Sequence, residues 1–323
     1  MPDPVTHYVF GEQVFHQLPK NIQAAVEKPV FQRALQGPDP WSCLGFYGGK
    51  IKQYARRGVE MHRSKTGLFL TALTKQTKQT NALFPVLAGN ICHYCLDRLA
   101  HPYIICKAGF FDGSEESRIY RSGHTRLERA IDSYYIRTVY GKTPWHFSLP
   151  RHIMSCKQYP ETLRHGLNAV YREVYGWDST FDLINQSLRD ERRFYGLMQD
   201  PFGIVHMLLR IVSGGKTNYS LYSFFRREIQ RERLDYLNEN RTPWQHPYDP
   251  SSISKDSFFD LFNRAKDDAL GMIQAAYQWV FQDKESLPVF NNSNYSTGLD
   301  CNDPRNTREP LCQPLAYSNK YWN

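Results

Sequence analysis

The sequence lacks any long run of apolar residues. None of its 323 residues lie in a stretch that approaches the roughly 18 consecutive apolar residues of a membrane-spanning helix. The opening residues, Met1-Pro2-Asp3-Pro4, also lack the charged and then apolar pattern of a secretory signal. We therefore expect a soluble, cytoplasmic protein without a transmembrane segment.

Cysteine is scarce and shows no spacing typical of a disulfide framework. The chain has seven, an odd number. They are Cys43, Cys92, Cys95, Cys106, Cys156, Cys301 and Cys312. Because scattered cysteines are typical of a reducing compartment, we expect free thiols. Cys92 and Cys95 form a Cys-x-x-Cys pair, but without a second pair a buried apolar role is favoured over a structural zinc site.

Runs of five or more basic residues are missing too, although the formal net charge is +8. This charge favours anionic partners: phosphate esters, acidic lipid headgroups or nucleic acid. The basic residues form small groups such as Arg56-Arg57, Arg192-Arg193 and Arg226-Arg227. Solvated helix faces are the simpler interpretation of each group, so charge alone does not choose among the partners.

Strand-like alternation of apolar and polar residues is also scarce, whereas helical periodicity is frequent. In segment 258–281, apolar residues recur at the i, i+3, i+4 spacing of an amphipathic helix. Further helices are predicted at 66–79, 84–100, 123–140, 160–175 and 180–212. Ser179 is the predicted N-cap of the last of these. We therefore predict an all-α fold, at least half helix with almost no sheet.

Turn residues rather than linkers separate these segments. Loops are predicted at 108–117, at 241–252 and throughout the tail after residue 287. We expect the tail to pack along the body through its aromatic residues, which are Tyr295, Tyr317, Tyr321 and Trp322. The prediction is a single helical domain, 1–323, with a helical body at 150–285 and an irregular tail at 287–323.

Three potential metal ligands follow one another at intervals of four residues. His93, Asp97 and His101 stand at i, i+4 and i+8, so a helix places all three on one face. His93 and His101 then lie about 12 Å apart along the axis, too far to share one zinc ion at bond lengths of roughly 2.1 Å. Because a carboxylate can bridge two metals, Asp97 between them predicts a multinuclear site.

A second pair, His124 and Glu128, has the same spacing and could meet His101 at one metal. Further candidate ligands upstream are His7, Asp39 and His62. A single histidine is more often a hydrogen-bonded core or surface residue than a ligand. Metal binding is favoured here because the three-residue series lies on an otherwise apolar segment, where unpaired charge is costly, and because a second pair follows it.

The candidates occur in five short motifs within residues 1–140. The motifs are Thr6-His7, Gly37-Pro38-Asp39, Met61-His62, His93-x-x-x-Asp97-x-x-x-His101 and His124-x-x-x-Glu128. Their order resembles the zinc-dependent phospholipase C family, which includes bacterial phospholipase C and the metal-binding domain of glycosylphosphatidylinositol-specific phospholipase D. Segment 291–299 also resembles a late segment of uncharacterised bacterial members.

The resemblance implies a phospholipase C-like helical bundle that holds two or three zinc ions. It assigns Asp39, His62, His93 and Asp97 to one ion, His101, His124 and Glu128 to a second, and His7 to a third site. In secreted members, the mature N-terminal residue completes that third site. The spacing of Asp97 and His101 matches the phospholipase D relative rather than the secreted phospholipase.

The activity that the resemblance implies is hydrolysis of a phosphoester or phospholipid by a metal-bound hydroxide. Asp39 could also orient or deprotonate the attacking water, although a ligand role alone is the simpler interpretation. The resemblance does not imply which lipid headgroup would be preferred. Two alternatives stay open. The first is a nuclease of the same fold, although nucleic acid is less favoured as the substrate than a phosphoester or phospholipid. The second is a non-catalytic protein in which the metals are structural.

Overall fold

The computed structural model of the protein describes residues 4–114, 117, 120, 122–200, 202–212 and 234–315. It is 64% helix with one two-stranded sheet, which confirms the predicted all-α, multi-helix fold. All seven cysteines are free, as predicted. None of the helices in these residues combines the length and the hydropathy needed to span a membrane.

The α-helices are numbered here in chain order. They are α1 (Pro4–Gln17), α2 (Lys20–Ala24), α3 (Lys28–Ala34), α4 (Arg56–Arg63), α5 (Thr66–Gln79), α6 (Phe84–Ala108), α7 (Gly123–Tyr140), α8 (Leu149–His152), α9 (Arg164–Tyr175), α10 (Thr180–Leu197), α11 (Ile204–Val212) and α12 (Phe258–Phe281). Short 3₁₀ helices span Asp39–Cys43, Lys50–Ala55, Asn81–Leu83, Pro144–His146, Glu161–Leu163 and Pro304–Thr307. The sheet is an antiparallel hairpin of β1 (Trp244–His246) and β2 (Asp249–Ser254).

Helix α6 is the central element of the bundle. Almost every side chain along it is buried, because α1, α3, α5, α7 and α12 all pack against it. A helix that is apolar on all sides requires such a covering. It runs past the predicted end at residue 100 and through Pro102, so His101 lies inside the helix.

Pro102 leaves one backbone carbonyl of α6 without its helical donor, and the tail packs against this carbonyl. A proline cannot donate the bond to the carbonyl four residues earlier, here that of Arg98. Gly298 lies directly against that carbonyl, so close that a Cβ on Gly298 would stand 2.5 Å from the Arg98 oxygen. The turn around Gly298 is therefore seated on the surface of α6.

Helices α5, α7 and α12 have the predicted bounds, whereas the predicted helix 180–212 is wrong as one element. Helix α10 ends at Leu197 and α11 begins at Ile204. The connecting sequence contains a proline, which cannot donate a helical bond, and Gly203 adopts φ +67°. Ser179 makes no capping bond either: its φ is +50° and the amide of Phe181 donates instead to Asn168 Oδ1 at 2.9 Å.

Two other boundaries differ from the predictions. The predicted helix 160–175 begins as the 3₁₀ turn Glu161–Leu163. The predicted loop 241–252 contains β1 and most of β2, because Trp244 is buried against Tyr103 and its Nε1 donates to the carbonyl of Asp256 at 3.0 Å. This aromatic anchor gives the hairpin a core contact that its polar sequence does not indicate.

Among the described residues after Phe281, the only helix is the 3₁₀ turn Pro304–Thr307, and part of this segment packs along the body. The carbonyl of Asn291 accepts a bond from Tyr94 Oη at 2.8 Å, and the amide of Gln313 donates to the carbonyl of Cys106 at 2.9 Å. Tyr295 is only 2% exposed. The other tail aromatics named from the sequence, Tyr317, Tyr321 and Trp322, lie outside the described residues.

Candidate metal centre

The eight candidate ligands lie together in the structure. They form three groups, in each of which the donor atoms are all within 4.8 Å of one another: His7, His93 and Asp97; Asp39, His62 and His93; and His101, His124 and Glu128. The elements that carry them are α1, the 3₁₀ turn Asp39–Cys43, α4, α6 and α7. Buried histidine and carboxylate groups arranged in this way can hold metal ions.

Asp97 stands between the first two groups. Its Oδ1 lies 3.2 Å from His7 Nε2, whereas its Oδ2 lies 3.1 Å from His93 Nε2 and 3.8 Å from His62 Nε2. The two oxygens of one carboxylate therefore face different histidines. This is the geometry that a bridging carboxylate requires, and it follows from the position of Asp97 one turn after His93 on α6.

Three histidines of the centre are oriented by backbone carbonyl groups. In each, Nδ1 faces a carbonyl oxygen within hydrogen-bond distance: Gly58 for His62 at 2.6 Å, Leu35 for His93 at 3.1 Å and Tyr295 for His101 at 2.9 Å. A carbonyl oxygen only accepts, so the proton lies on Nδ1. The Nε2 atom of each ring then points into the cluster, which is how metal-ligating histidines are held.

Several donor atoms of the cluster are buried without a hydrogen bond. They are Nε2 of His7, His93 and His101 and both carboxylate oxygens of Asp97. These atoms approach one another, but not along hydrogen-bonding directions. Buried polar atoms rarely lack a partner, and a bound ion can supply one where hydrogen bonds are missing. A divalent cation within each group would satisfy these atoms, and imidazole with carboxylate is a donor set that zinc accepts.

Burial and neighbouring charges shift the protonation of the cluster. Burial lowers the pKa of His93, but the carboxylates of Asp97 and Asp39 outweigh it and raise this pKa to about 8. Burial raises the pKa of Asp97, but His93 and His101 outweigh it and hold this pKa well below its usual range. Burial lowers the pKa of His7, and that of His101 to about 4. At neutral pH the cluster therefore contains a charged His93 beside a charged Asp97.

Gly37, from the Gly37-Pro38-Asp39 motif, has a steric role beside His93. Its φ is +47°, and a Cβ at this position would stand 2.5 Å from the His93 ring. Any larger residue would therefore meet both a strained backbone and the imidazole. The glycine lets the chain turn tightly next to His93 and enter the 3₁₀ turn that carries Asp39.

Asp132 is a supporting residue that the sequence reasoning missed. Its Oδ1 accepts bonds from the amide and the hydroxyl of Thr6, both at 2.7 Å, and its Oδ2 accepts from the amide of Val5 at 3.1 Å. Asp132 thus caps the start of α1 directly before His7. The signal was present, because Asp132 continues the four-residue spacing of His124 and Glu128 along α7.

Tyr295 is a second residue that was missed as part of the site. Its amide donates to the carbonyl of His62 at 2.8 Å, and its own carbonyl is the acceptor for His101. Its ring lies 5.4 Å from that of His62 and 5.6 Å from that of His93. Tyr295 therefore ties α4 to α6 from outside the cluster, and no local pattern in the tail predicts it.

The ligands differ in their access to solvent. The side chain of His124 is 36% exposed, whereas those of Asp97 and His93 are fully buried and that of Asp39 is 9% exposed. His124 therefore marks the open edge of the centre. Eight ligand residues are also fewer than the twelve that three closed tetrahedral zinc sites would need. If each group held one zinc ion, coordination positions would therefore stay available for water.

Comparison of the chain with protein-family models, with curated proteins and with solved structures found no match.

Proposed function

We propose that the protein is a zinc-dependent phosphoester hydrolase of the phospholipase C type. The observation that carries the proposal is the combination of three histidines held by Nδ1 bonds to the backbone with a buried carboxylate, Asp97, whose two oxygens face different histidines. A structural zinc site needs one closed set of four ligands. A shared carboxylate and a partly exposed edge suit substrate hydrolysis better.

In this proposal Asp39, His62, His93 and Asp97 hold one ion, while His7 with Asp97 contributes to another. A further ion is held by His101, His124 and Glu128. Bound zinc would supply polarisation of a phosphoryl oxygen and a water of lowered pKa. Because the His124 side chain is partly exposed, we propose that an incoming phosphoester meets this last group first.

Asp39 is the residue that we propose as proton acceptor. Its Oδ1 lies 3.0 Å from His62 Nε2 and 3.6 Å from His93 Nε2, so this oxygen belongs to the ligand group. The second oxygen of the same carboxylate orients the attacking water or accepts its proton. The remaining work of the chain is to exclude bulk water and to fix the ligands, which the buried positions of His93 and Asp97 achieve.

The proposal is tested by metal analysis of the purified protein followed by a substrate panel of phosphatidylcholine, bis-p-nitrophenyl phosphate and single-stranded DNA. We expect the purified protein to contain zinc and to hydrolyse at least one phosphoester. We also expect a chelator to abolish this hydrolysis. Preferential cleavage of the DNA would favour the nuclease alternative. Fully metallated protein that is inactive on the whole panel, or activity that chelation leaves unchanged, would make the metals structural and refute the hydrolase.

A matched pair of variants sharpens this test. Glu128→Gln keeps the size of a ligand but removes its charge, so it should weaken one ion and lower turnover while the helical circular dichroism is unchanged. Glu173→Gln makes the same change at an exposed position of α9 and should leave both metal content and turnover unaltered. Equal activity of the two variants would remove Glu128 from the site.

A further inference from the structure

Two consecutive carboxylates of α10 are buried, and each has a partner in segment 33–45, which carries Asp39. Asp190 and Glu191 are 3% and 2% exposed. Burying a carboxylate is costly unless it is paired or hydrogen-bonded. A buried ion pair also adds little net stability compared with apolar residues of similar volume, although it can orient the groups that it joins. What the two acids hold in place is therefore the informative feature.

Glu191 holds the start of the segment. Its Oε2 lies 2.6 Å from Nη2 of Arg33, whose side chain is fully buried, and the same Nη2 donates to the carbonyl of Leu188 at 2.8 Å. Arg33 lies in the last turn of α3, two residues before Leu35. The carbonyl of Leu35 is the acceptor that orients His93, at 3.1 Å. The contacts of Arg33 with α10 therefore fix the backbone from which His93 is oriented.

Asp190 holds the end of the segment. Its Oδ2 accepts a bond from the amide of Gly45 at 2.9 Å, while its Oδ1 accepts from Nε2 of Gln186 at 2.7 Å. Gly45 follows the 3₁₀ turn Asp39–Cys43 by two residues. Asp39 therefore lies between two attachments of its segment to the same helix.

Packing between the two attachments is incomplete. A cavity lies between part of the segment and α10: Gly37 and Trp41 line it on one side, and Ser187 and Leu188 line it on the other. Atoms that face a cavity lose van der Waals contacts on that side. The bonds at the two ends therefore contribute more to the position of the segment than they would if side chains filled this space.

We propose that Asp190 and Glu191 are positioning residues of the candidate metal centre. By holding both ends of segment 33–45, they fix Asp39 and, through the Leu35 carbonyl, the ring of His93. Neither carboxylate belongs to the three ligand groups found among the described residues, so both act through the backbone of the segment. The role in metal binding rests on the proposed function, whereas the attachment of the segment to α10 does not.

Zinc titration of three variants tests the positioning. Asp190→Ala leaves the Gly45 amide without its acceptor and should weaken zinc binding by the Asp39 group about 10- to 100-fold, as is typical for residues that orient metal ligands. Asp190→Asn retains an acceptor oxygen and should restore most of this affinity. Asn185→Ala is the matched control, because it also removes a buried polar side chain from α10, but one that bonds to the backbone of Tyr159. Its zinc affinity should be unchanged.

Two further measurements separate positioning from a general loss of stability. In an Asp39→Ala background, Asp190→Ala should cause no further loss of zinc affinity, because both changes act on the same ion. Hydrogen exchange of segment 33–45 should be faster in Asp190→Ala than in Asn185→Ala, with or without added zinc.

The double variant Arg33→Met/Glu191→Met tests the other attachment. It removes both buried charges together, so no unpaired charge is left. Exchange of segment 33–45 should again be faster and zinc binding weaker, and this variant decides the question if Asp190→Ala does not fold.

The remaining outcomes overturn one proposal or the other. Unchanged exchange of segment 33–45 in Asp190→Ala refutes the attachment. Faster exchange with unchanged zinc affinity, or an equal loss of affinity in Asn185→Ala, refutes the positioning role. Zinc bound with the expected affinities but without hydrolysis of any phosphoester refutes the hydrolase alone. If the unmodified protein binds no zinc, the hydrolase and the role in metal binding both fail, and the exchange measurement decides whether α10 holds the segment.

Discussion

The carbonyl oxygen of Tyr295 lies 2.9 Å from Nδ1 of His101, a contact between residues 194 positions apart in the chain. It turns the ring of His101 so that Nε2 faces Glu128 Oε1 at 3.4 Å. Tyr295 lies within a turn in which the amide of Gly298 donates to the carbonyl of Asn294 at 2.8 Å. The tail is therefore a structural part of the candidate centre.

Substitution of Gly298 tests this dependence. Gly298→Ala places a residue with φ +69° and a Cβ within 2.5 Å of the Arg98 carbonyl, so the turn must move away from α6. We expect a loss of stability greater than the about 1–2 kcal/mol of a left-handed alanine, together with weaker zinc binding by the His101 group. Chemical unfolding and zinc titration measure the two effects.

Gly176→Ala is the control for this variant. Gly176 has a similar φ, +70°, but a Cβ there would meet nothing within 4 Å. It should therefore lose stability through the backbone alone and keep its zinc affinity. If Gly298→Ala binds zinc as tightly as Gly176→Ala does, the tail does not support His101.

Asp97→Ala should remove more than one metal ion per chain, because both oxygens of this carboxylate face ligand histidines. His124→Ala, at the exposed edge of the third group, should remove one at most. Metal content by mass spectrometry compares the two variants, with circular dichroism as the check on folding. A loss of one ion or fewer in Asp97→Ala would refute the bridging role.

Asp132→Asn should disturb the His7 position without touching any ligand. An amide offers one acceptor oxygen instead of two, so the cap on Val5 and Thr6 loses a charged bond worth about 1.5–3 kcal/mol. We expect lower stability and weaker metal binding by the group of His7, His93 and Asp97. Asp260→Asn weakens a comparable cap on α12, which carries no candidate ligand, and should lower stability while metal content is unchanged. Equal metal content in both variants would contradict the positioning role.

Metal affinity should fall as the pH falls through about 8. The pKa of His93 is raised to about 8, so below that pH a proton occupies the cluster and must leave when an ion binds. His7 and His101 have lowered pKa values and are neutral there. Calorimetric zinc titrations at pH 7 in buffers of different ionisation enthalpy should show release of about one proton. Proton-independent binding would contradict this assignment.

The sequence predicts the long helices better than it predicts the first third of the chain. Helices α5, α7 and α12 have strong periodicity, and α12 also begins with a capping box of Ser257 and Asp260. No helices were predicted where α1, α3 and α4 lie. Helices α3 and α4 have only 7 and 8 residues, and short helices depend on tertiary packing more than on their own pattern. The end of α6 was misplaced because a proline in a sequence usually marks a helix end, whereas α6 continues through Pro102 to Ala108.

The residues of the candidate site also differ in how far the sequence predicts them. The spacing of His93, Asp97 and His101, and of His124 and Glu128, is local and could be found from the sequence. The approach of His7, Asp39 and His62 to them depends on how α1, the 3₁₀ turn Asp39–Cys43 and α4 pack. The sequence offered these residues as candidates, and only the family resemblance assigned them to particular ions. Tyr295 could not be found, since it acts through its backbone and backbone groups are common to all residues.

The unequal burial of the ligands has a kinetic consequence. An ion held around His124, as proposed, would exchange with the medium directly, since this side chain is 36% exposed. An ion held by His7, Asp97 and His93 would have no such route, because these side chains are at most 1% exposed and α1 is held against α7 by Asp132. Its exchange would require α1 to separate from the bundle, a local unfolding event. On the proposed metal binding, inner ions would therefore be acquired as the chain folds and retained while it stays folded, whereas the outer ion would follow the supply of metal in its surroundings.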